Sequence, residues 1–404
     1  MSAADDPNRT AWVKVLTATW EKLTPASAID EDAPAVAPVA EEPIPEATTA
    51  DVSEVSVTAA ATAALTGETV DVRDVPALAQ EAGSPFTVFT NSQHGTRHGE
   101  LNQDNCFHRV VQGSSKTFNV CAAFDGHGLL GEQASATASR TLDILSQTLK
   151  FNSIVTSPRE TMEWLFEELH KAVVEDHKSP PETYTYPGRP GSAPLDFKLV
   201  EVGGKLGTAF SCTSAEGMPP APIDYGTTAA VAVTFDDTVV IGSLGDAGAV
   251  LCHLDEDSEC TGTLLSATHT AKDPAEIARI ERDFPDKALI THDGYLAPLD
   301  DEMGGYEVQL TRSLGHALLG QFGISSTPEV LSVNLRKERA FGLVLCSDGV
   351  TDEFQPRDIA ERVRSGEKNE VAKSLCQEAQ DYCMEPDKID DCTAVVILID
   401  LPVE

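Results

Sequence analysis

Hydrophobic residues in this chain come in short unbroken runs, each cut off by a charged or a very small residue. Val120-Cys-Ala-Ala-Phe-Asp-Gly-His-Gly128 shows the form. Nothing in the run alternates, so it reads as a buried strand. Gly126 and Gly128 end it, because glycine accepts backbone angles and close approaches that other residues resist. Such a strand delivers a carboxylate (Asp125), a bare backbone carbonyl (Gly126) and an imidazole (His127) to one rim. Hard divalent cations take oxygen ligands of that sort.

The same pattern predicts the remaining elements. Residues 86–90 read as a strand, followed by a loop over 91–100 and the polar opening Asn102-Gln-Asp-Asn. Helices are expected over 131–150 and 157–177, the second with Pro158 and Glu160 in its first turn. Residues 227–235 and 238–242 flank the turn Asp236-Asp237 and read as a hairpin, which 247–254 continues. A short helix over 276–283 leads into a loop-rich excursion over 291–307. A strand over 342–347 runs into Asp348, helices follow over 356–364 and 370–382, and the last strand covers 393–399.

Two stretches break the pattern. Residues 1–84 are dominated by Ala, Glu, Asp, Pro, Thr and Val and are expected to form a disordered acidic tail, since they bury too little apolar surface to offset chain entropy. Within it Trp12, Val15, Leu16, Trp20 and Leu23 recur at helical spacing and suggest a short amphipathic helix. Residues 179–224 are rich in Pro, Gly, Ser and Tyr, too long for an ordinary connection, and read as an exposed surface insertion in a domain over 85–404.

Composition narrows the function. The 404 residues carry a formal net charge of -36, which repels nucleic acid and anionic membrane. The nine cysteines form no C-x-x-C pair, so neither a zinc ribbon nor a thioredoxin-type site is indicated, and a reducing compartment is expected. No cysteine has an arginine six positions on, which removes the simplest thiol-phosphatase arrangement. With no basic-then-apolar start and no apolar run near the roughly 20 residues of a membrane span, the expectation is a soluble intracellular protein, cytoplasmic or nuclear.

The chemistry then gathers at strand ends. Asp104, Asp125, Asp246, Asp348 and Asp391 each stand where an apolar strand starts or stops. Several carboxylates at one rim repel unless cations neutralise them, and oxygen-only sites suit Mg²⁺ or Mn²⁺. Two such ions about 3.5–4 Å apart can hold a bridging hydroxide for in-line attack on phosphate. The chain has no G-x-x-x-x-G-K-S/T loop, no H-E-x-x-H pair and no apparent protein nucleophile.

These residues also carry a family resemblance. Phe124-Asp-Gly-His-Gly resembles the FDGHG signature of the metal-dependent protein serine/threonine phosphatases, the PPM or type 2C family, in a plant- or protist-like form. Asn102-Gln-Asp, Gly226-Thr-Thr-Ala, Gly245-Asp-Ala-Gly-Ala-Val, Leu310-Thr-Arg-Ser-Leu-Gly, Ser326-Thr-Pro-Glu-Val and Ser347-Asp-Gly-Val-Thr-Asp follow the family's further elements in order. Asp390-Asp-Cys-Thr resembles its closing D-N-x-T/S. The resemblance implies an α+β fold, a four-layer α/β/β/α sandwich of two antiparallel sheets flanked by helices. It further implies a Mn²⁺- or Mg²⁺-dependent, monomeric phosphatase acting on phosphoproteins. Asp125, Asp348 and Asp391 would bind two ions, with the Gly126 carbonyl and Gln103 in their shell and Asp104 ordering water. Asp246 and Asp352 would add a weaker third site, and His127 would be the general acid, with a pKa not far from neutrality. The stretch 270–310, with Asp273, Asp283, Asp286 and Asp293, would be a substrate-facing flap.

Some positions depart from the pattern. The usual phosphate-clamping arginine falls on Gly99, and Arg97 would serve only if the loop holds one extra residue. His316 replaces the aspartate of ALGD, Gly248 an arginine and Thr351 a tryptophan. An alternative reading is therefore a pseudophosphatase acting as a binding or regulatory module, and a two-metal phosphodiesterase is a third.

Overall fold

Two-sided burial explains why the strand runs do not alternate. In strand β3 (Thr117–His127) Val120, Ala122 and Phe124 face one apolar cluster, while Cys121 and Ala123 face another. The same division holds in β9 (Ala229–Phe235), β17 (Ala340–Cys346) and β18 (Cys392–Ile399): alternate residues serve different cores, and both cores are apolar. The computed structural model describes residues 84–401 apart from 189, 216, 217, 219, 304 and 305. The expected acidic tail and its helix over 12–23 lie outside the described residues.

One sheet is five-stranded, in the order β1 (Phe86–Gln93), β18, β17, β11 (Gly248–Leu254), β12 (Cys260–Leu264). The other is seven-stranded: β15 (Leu314–Gly315), β8 (Gly226–Thr227), β3, β9, β10 (Thr238–Leu244), β16 (Glu329–Asn334), with β2 (Asp104–Gln112) also paired to β3. All these pairings are antiparallel. The facing sides of the sheets share one core, built from Cys121, Ala230, Ile241, Leu251, Leu345 and Val395 among others.

Helices cover both outer sides. Helix α1 (Gly131–Ser146) and helix α2 (Pro158–Asp176) pack Leu142, Phe166 and Leu169 against Val231 and Val240 of the larger sheet. α1 ends four residues before the expected limit, and a 3-10 turn over Lys150–Val155 leads to α2, which has Pro158 in its first turn. After helix α3 (Pro274–Asp283) and a single-turn helix α4 (Asp348–Thr351), helices α5 (Pro356–Ser365) and α6 (Val371–Tyr382) cover the smaller sheet through Ile359, Val363, Leu375 and Cys376. The layers are thus helix, sheet, sheet, helix. All nine cysteines are unpaired. Among the described residues no helix is long and apolar enough to cross a membrane.

The stretch over 179–224, expected as an exposed surface insertion, has regular structure of its own. It folds as a four-stranded antiparallel sheet: β4 (Thr183–Tyr186), β5 (Leu195–Gly203), β6 (Gly207–Cys212) and β7 (Ala221–Pro222). Phe197 and Phe210 are buried in the same core as α1 and α2. Leu195, Phe197 and Leu199 alternate with Asp196 and Lys198, a strand signal that the surrounding Pro and Gly concealed.

The stretch 270–310 shares an apolar cluster with residues 318–324, built from Ile280, Leu296, Met303, Leu319 and Phe322 among others. It contains α3 and the hairpin β13 (Ala288–Ile290) and β14 (Leu296–Pro298). Its aspartates do not converge: Asp273 caps α3 by accepting from Ala275 N–H, and Asp283 pairs with Arg282.

Candidate metal centre

Register places the first two carboxylates. Asp104 opens β2 directly opposite Asp125 near the end of β3. The Asp125 carbonyl accepts from Thr228 N–H at 2.8 Å and from Thr227 Oγ1 at 3.0 Å, which locks the end of β3 to β8 and the start of β9. Gly126 must be glycine here. A Cβ would stand 2.2 Å from the Gly131 carbonyl oxygen and 2.5 Å from that of Gln103. Asp246 sits in the turn between β10 and β11, and Asp348 opens α4 where β17 ends. Carboxylate oxygens of Asp125, Asp246 and Asp348 all lie within 4.8 Å of one another.

The closing pair Asp390-Asp391 divides differently from the sequence expectation. Asp391 Oδ1 accepts from Gly95 N–H and Oδ2 from Gln103 N–H, both at 2.8 Å. Its two oxygens tie the opening loop to the start of β18. Asp390 instead faces the cluster, raising the carboxyl pKa values of Asp125, Asp246, Asp348 and Asp352 by its charge. Neighbouring residues at a strand start point to opposite sides, so only one of the two can serve the rim. In the D-N-x-T/S pattern the aspartate falls on 390, which was the signal available in the sequence.

Gln103 also departs from its expected role. Its side-chain nitrogen donates to the Gly128 carbonyl at 2.9 Å and faces Glu132 Oε2 at 3.5 Å, so it braces the loop after β3. Asp352 closes α4, donating N–H to the Asp348 carbonyl at 2.8 Å, and lies near Asp348 and Asp246. It does not cap α5, whose N-terminus is closed by Gln355 and Asp358.

Arg97 is drawn into the acidic cluster. Thr96 N–H and Arg97 N–H both bond the Ile389 carbonyl, at 2.8 and 2.9 Å, and Gly95 permits this approach because a Cβ would lie 2.1 Å from that oxygen. The guanidinium then donates through Nη1 to Asp390 Oδ2. Burial works against its charge, and Asp390, Asp348, Asp125 and Asp352 outweigh it, leaving the Arg97 pKa raised.

Burial and mutual repulsion push the carboxyls up. Asp125, Asp348 and Asp104 stand well above the usual range, chiefly through burial and then through one another and Asp390 or Asp391. Asp246 rises to about 7 and Asp352 to about 6, again from burial first. Asp391 also rises to about 7 through burial, opposed by its two amide donors.

His127 departs from the expected near-neutral pKa. Burial and the adjacent His316 hold it well below the ordinary histidine value. Its Nε2 lies 2.9 Å from both Ser313 Oγ and His316 Nε2. Two buried polar atoms, Asp104 Oδ2 and His127 Nδ1, have no protein partner. An all-oxygen donor set, carboxyls raised by crowding and orphaned polar atoms suited to ordered water together fit hard divalent cations. The cluster can hold metal ions.

A sandwich with carboxylates gathered where its strands end is the architecture of a phosphatase of the PPM class, and comparison with known proteins agrees. Residues 206–391 match the family model of Protein phosphatase 2C. The chain is 26% identical over 310 residues to Probable protein phosphatase 2C 72 of Arabidopsis thaliana, covering 74% of this chain and 82% of that protein. It is 28% identical over 307 residues to Probable protein phosphatase 2C 61 of the same plant, covering 74% and 80%. The fold is similar to the crystal structure of serine-threonine phosphatase 2C from Toxoplasma gondii, with a TM-score of 0.57 and 15% identity over 78% of this chain and 95% of that one. A C. elegans sex determining protein shares it at a TM-score of 0.53 and 19% identity, over 79% and 66%. Over residues 206–391 the chain thus resembles the protein phosphatase 2C family, and over about three quarters of its length it is similar to plant proteins of that name.

Proposed function

We propose that the protein is a Mn²⁺- or Mg²⁺-dependent protein serine/threonine phosphatase. The observation that carries this reading is the meeting of Asp125, Asp246 and Asp348 oxygens within 4.8 Å of one another, with Asp390 and Asp352 alongside. Asp125, Asp348 and Asp390, with the Gly126 carbonyl, would hold the catalytic ions, and Asp246 and Asp352 a weaker further one. Ions bound there would polarise the phosphate oxygens and activate water for in-line attack.

The chain's own residues supply the rest. Arg97, anchored on Asp390 beside the carboxylates, is the guanidinium placed to meet phosphate oxygens. Asp104 directs water with its unpaired oxygen. His127, with Nε2 engaged inward, has Nδ1 left to protonate the departing seryl or threonyl oxygen. The 270–310 stretch would select among phosphoprotein substrates, and no observation favours a pseudophosphatase.

The test is phosphate release from a phosphothreonine peptide with Mn²⁺, with Mg²⁺ and with chelator. Release should require metal, and Asp125→Asn and Asp348→Asn should each lower kcat/KM by at least about 100-fold. Metal-independent release, or an Asp125→Asn variant as active as wild type, would sink the reading.

A further inference from the structure

The sheet β4–β7 has no part in the proposed hydrolysis, yet it touches two segments that border the carboxylates. Phe197, Phe210 and Ala221 are buried in the core shared with α1 and α2, so the body of the domain fixes where the sheet stands.

The first contact is with the opening loop. Tyr186, the last residue of β4, places its Oη 2.6 Å from His98 Nδ1, and the two rings meet edge to face with centroids 6.0 Å apart. Beside them Gly99, with φ at 70°, packs on the connection between β4 and β5: a Cβ there would stand 2.3 Å from the Gly188 carbonyl oxygen. No side chain fits at 99 while the connection keeps its place. That is the position on which the usual phosphate-clamping arginine falls, and the guanidinium of this chain stands two residues upstream, at Arg97. The loop is therefore held from two sides. The Ile389 carbonyl takes the N–H groups of Thr96 and Arg97, while Tyr186 and Gly188 close on His98 and Gly99.

The second contact is with the 270–310 stretch. In the turn between β5 and β6, Lys205 N–H donates to Glu302 Oε2 at 2.7 Å, and its ammonium pairs with Asp300. An exposed pair of that kind contributes little alone. Leu206, half-buried, packs against the apolar cluster of Ile280, Leu296 and Met303. Past β7, the Asp224 carbonyl accepts from Tyr306 Oη at 3.0 Å, and its carboxylate from the N–H groups of Leu318 and Leu319, in the same cluster. The 270–310 stretch borders the acidic site as well: Lys272 lies near enough to Asp352 for its charge to oppose the rise of that carboxyl.

We propose that the β4–β7 sheet is a specificity element, a buttress that positions the Arg97 loop through Tyr186 and Gly188 and the 270–310 stretch through the 204–206 turn. The first contact acts on the grip of any phosphate, the second on the segments flanking a phosphoresidue in an extended protein substrate. This rests on the phosphatase reading, with Arg97 and the 270–310 stretch in the roles given them there.

Variants at each contact separate the two effects. With saturating Mn²⁺, Tyr186→Phe and Gly99→Ala should raise KM roughly 2- to 10-fold for both a phosphothreonine peptide and p-nitrophenyl phosphate, the loss of about one hydrogen bond's worth of positioning. Leu206→Asp should raise KM for the peptide over a similar range and leave p-nitrophenyl phosphate, which has no flanking residues, within about twofold of wild type. Glu302→Ala, which removes only the acceptor of Lys205 N–H, should give the same pattern in weaker form and serves where Leu206→Asp fails to fold. Amide hydrogen exchange follows the contacts without reference to activity. Tyr186→Phe should speed exchange at Gly99 and Leu101, and Leu206→Asp at Leu296, Leu299 and Val308. Equal KM changes on both substrates in Leu206→Asp and Glu302→Ala, unchanged KM values in Tyr186→Phe and Gly99→Ala, or wild-type exchange in both segments would each overturn the proposal. If the wild type hydrolyses neither substrate, the phosphatase reading fails, and the exchange pattern alone decides whether the sheet holds the loop and the 270–310 stretch.

Discussion

At the scale of residues, the division of labour between Asp390 and Asp391 carries the sharpest prediction. Asp390→Asn removes a charge that faces the cluster and should weaken Mn²⁺ binding by roughly 10- to 100-fold in a calorimetric titration. Asp391→Asn should instead act on the fold. One of its oxygens becomes an amide group facing the N–H of Gly95 or Gln103, at a cost of about 1–3 kcal/mol in urea unfolding, with Mn²⁺ affinity closer to wild type. The reverse ranking of affinities would return the ligand role to Asp391. The strand-end carboxylates were legible in the sequence because each follows or precedes an apolar run. Choosing between two adjacent aspartates was not legible from the apolar runs, since a one-residue shift in a strand exchanges its faces; only the D-N-x-T/S pattern, whose aspartate falls on 390, could have decided it. Asp224 was not legible either: it meets His316 across 92 positions, and no local pattern announces that contact.

At the scale of elements, the apolar runs were readable because both sides of each central strand are buried, which removes alternation and leaves length and flanking glycine as signals. The sheet β4–β7 escaped for the opposite reason. Its strands alternate, but they are embedded in Pro, Gly and Ser, and composition over the whole stretch outweighed pattern within it. Its place in the fold is testable. Phe210 in β6 is buried in the core shared with α1 and α2, so Phe210→Ala should cost about 3–5 kcal/mol in urea unfolding. Thr208, two positions away and exposed, should change stability by less than about 0.5 kcal/mol when made alanine. A silent Phe210→Ala would show that the sheet is a dispensable appendage.

At the scale of the whole molecule, the crowded carboxyls should give the metal-free protein an unusual response to pH. In the unfolded chain these groups return to the ordinary value of 3.8, whereas folded Asp352 sits at about 6 and Asp246 and Asp391 at about 7. The folded state therefore binds more protons between these limits, so stability is greatest below pH 3.8 as far as these groups are concerned. It falls as pH rises through 6 and 7. With chelator present, the melting temperature should drop between pH 5 and 7.5, and saturating Mn²⁺ should flatten or reverse that slope by favouring the ionised carboxylates. A chelated protein that becomes more stable over the same range would contradict the crowding.

Strand β18 has a further consequence, for biosynthesis. It lies between β1 and β17, and residues 86–93 pair with residues 392–399 along their whole length. At about 5–20 residues per second, the first strand of the domain waits on the order of 15–60 s for its partner to be translated. During that interval β1 has an open edge able to pair with other nascent chains, and β17 adds a second once it has been made, towards the end of the wait. The arrival of the last strand covers both at once, and the same few residues bring Asp390 to the rim. Any message truncated before this point yields a product with sticky edges and an incomplete acidic cluster. Synthesis of β18 thus acts as the gate between a chain with open edges and one equipped to capture metal.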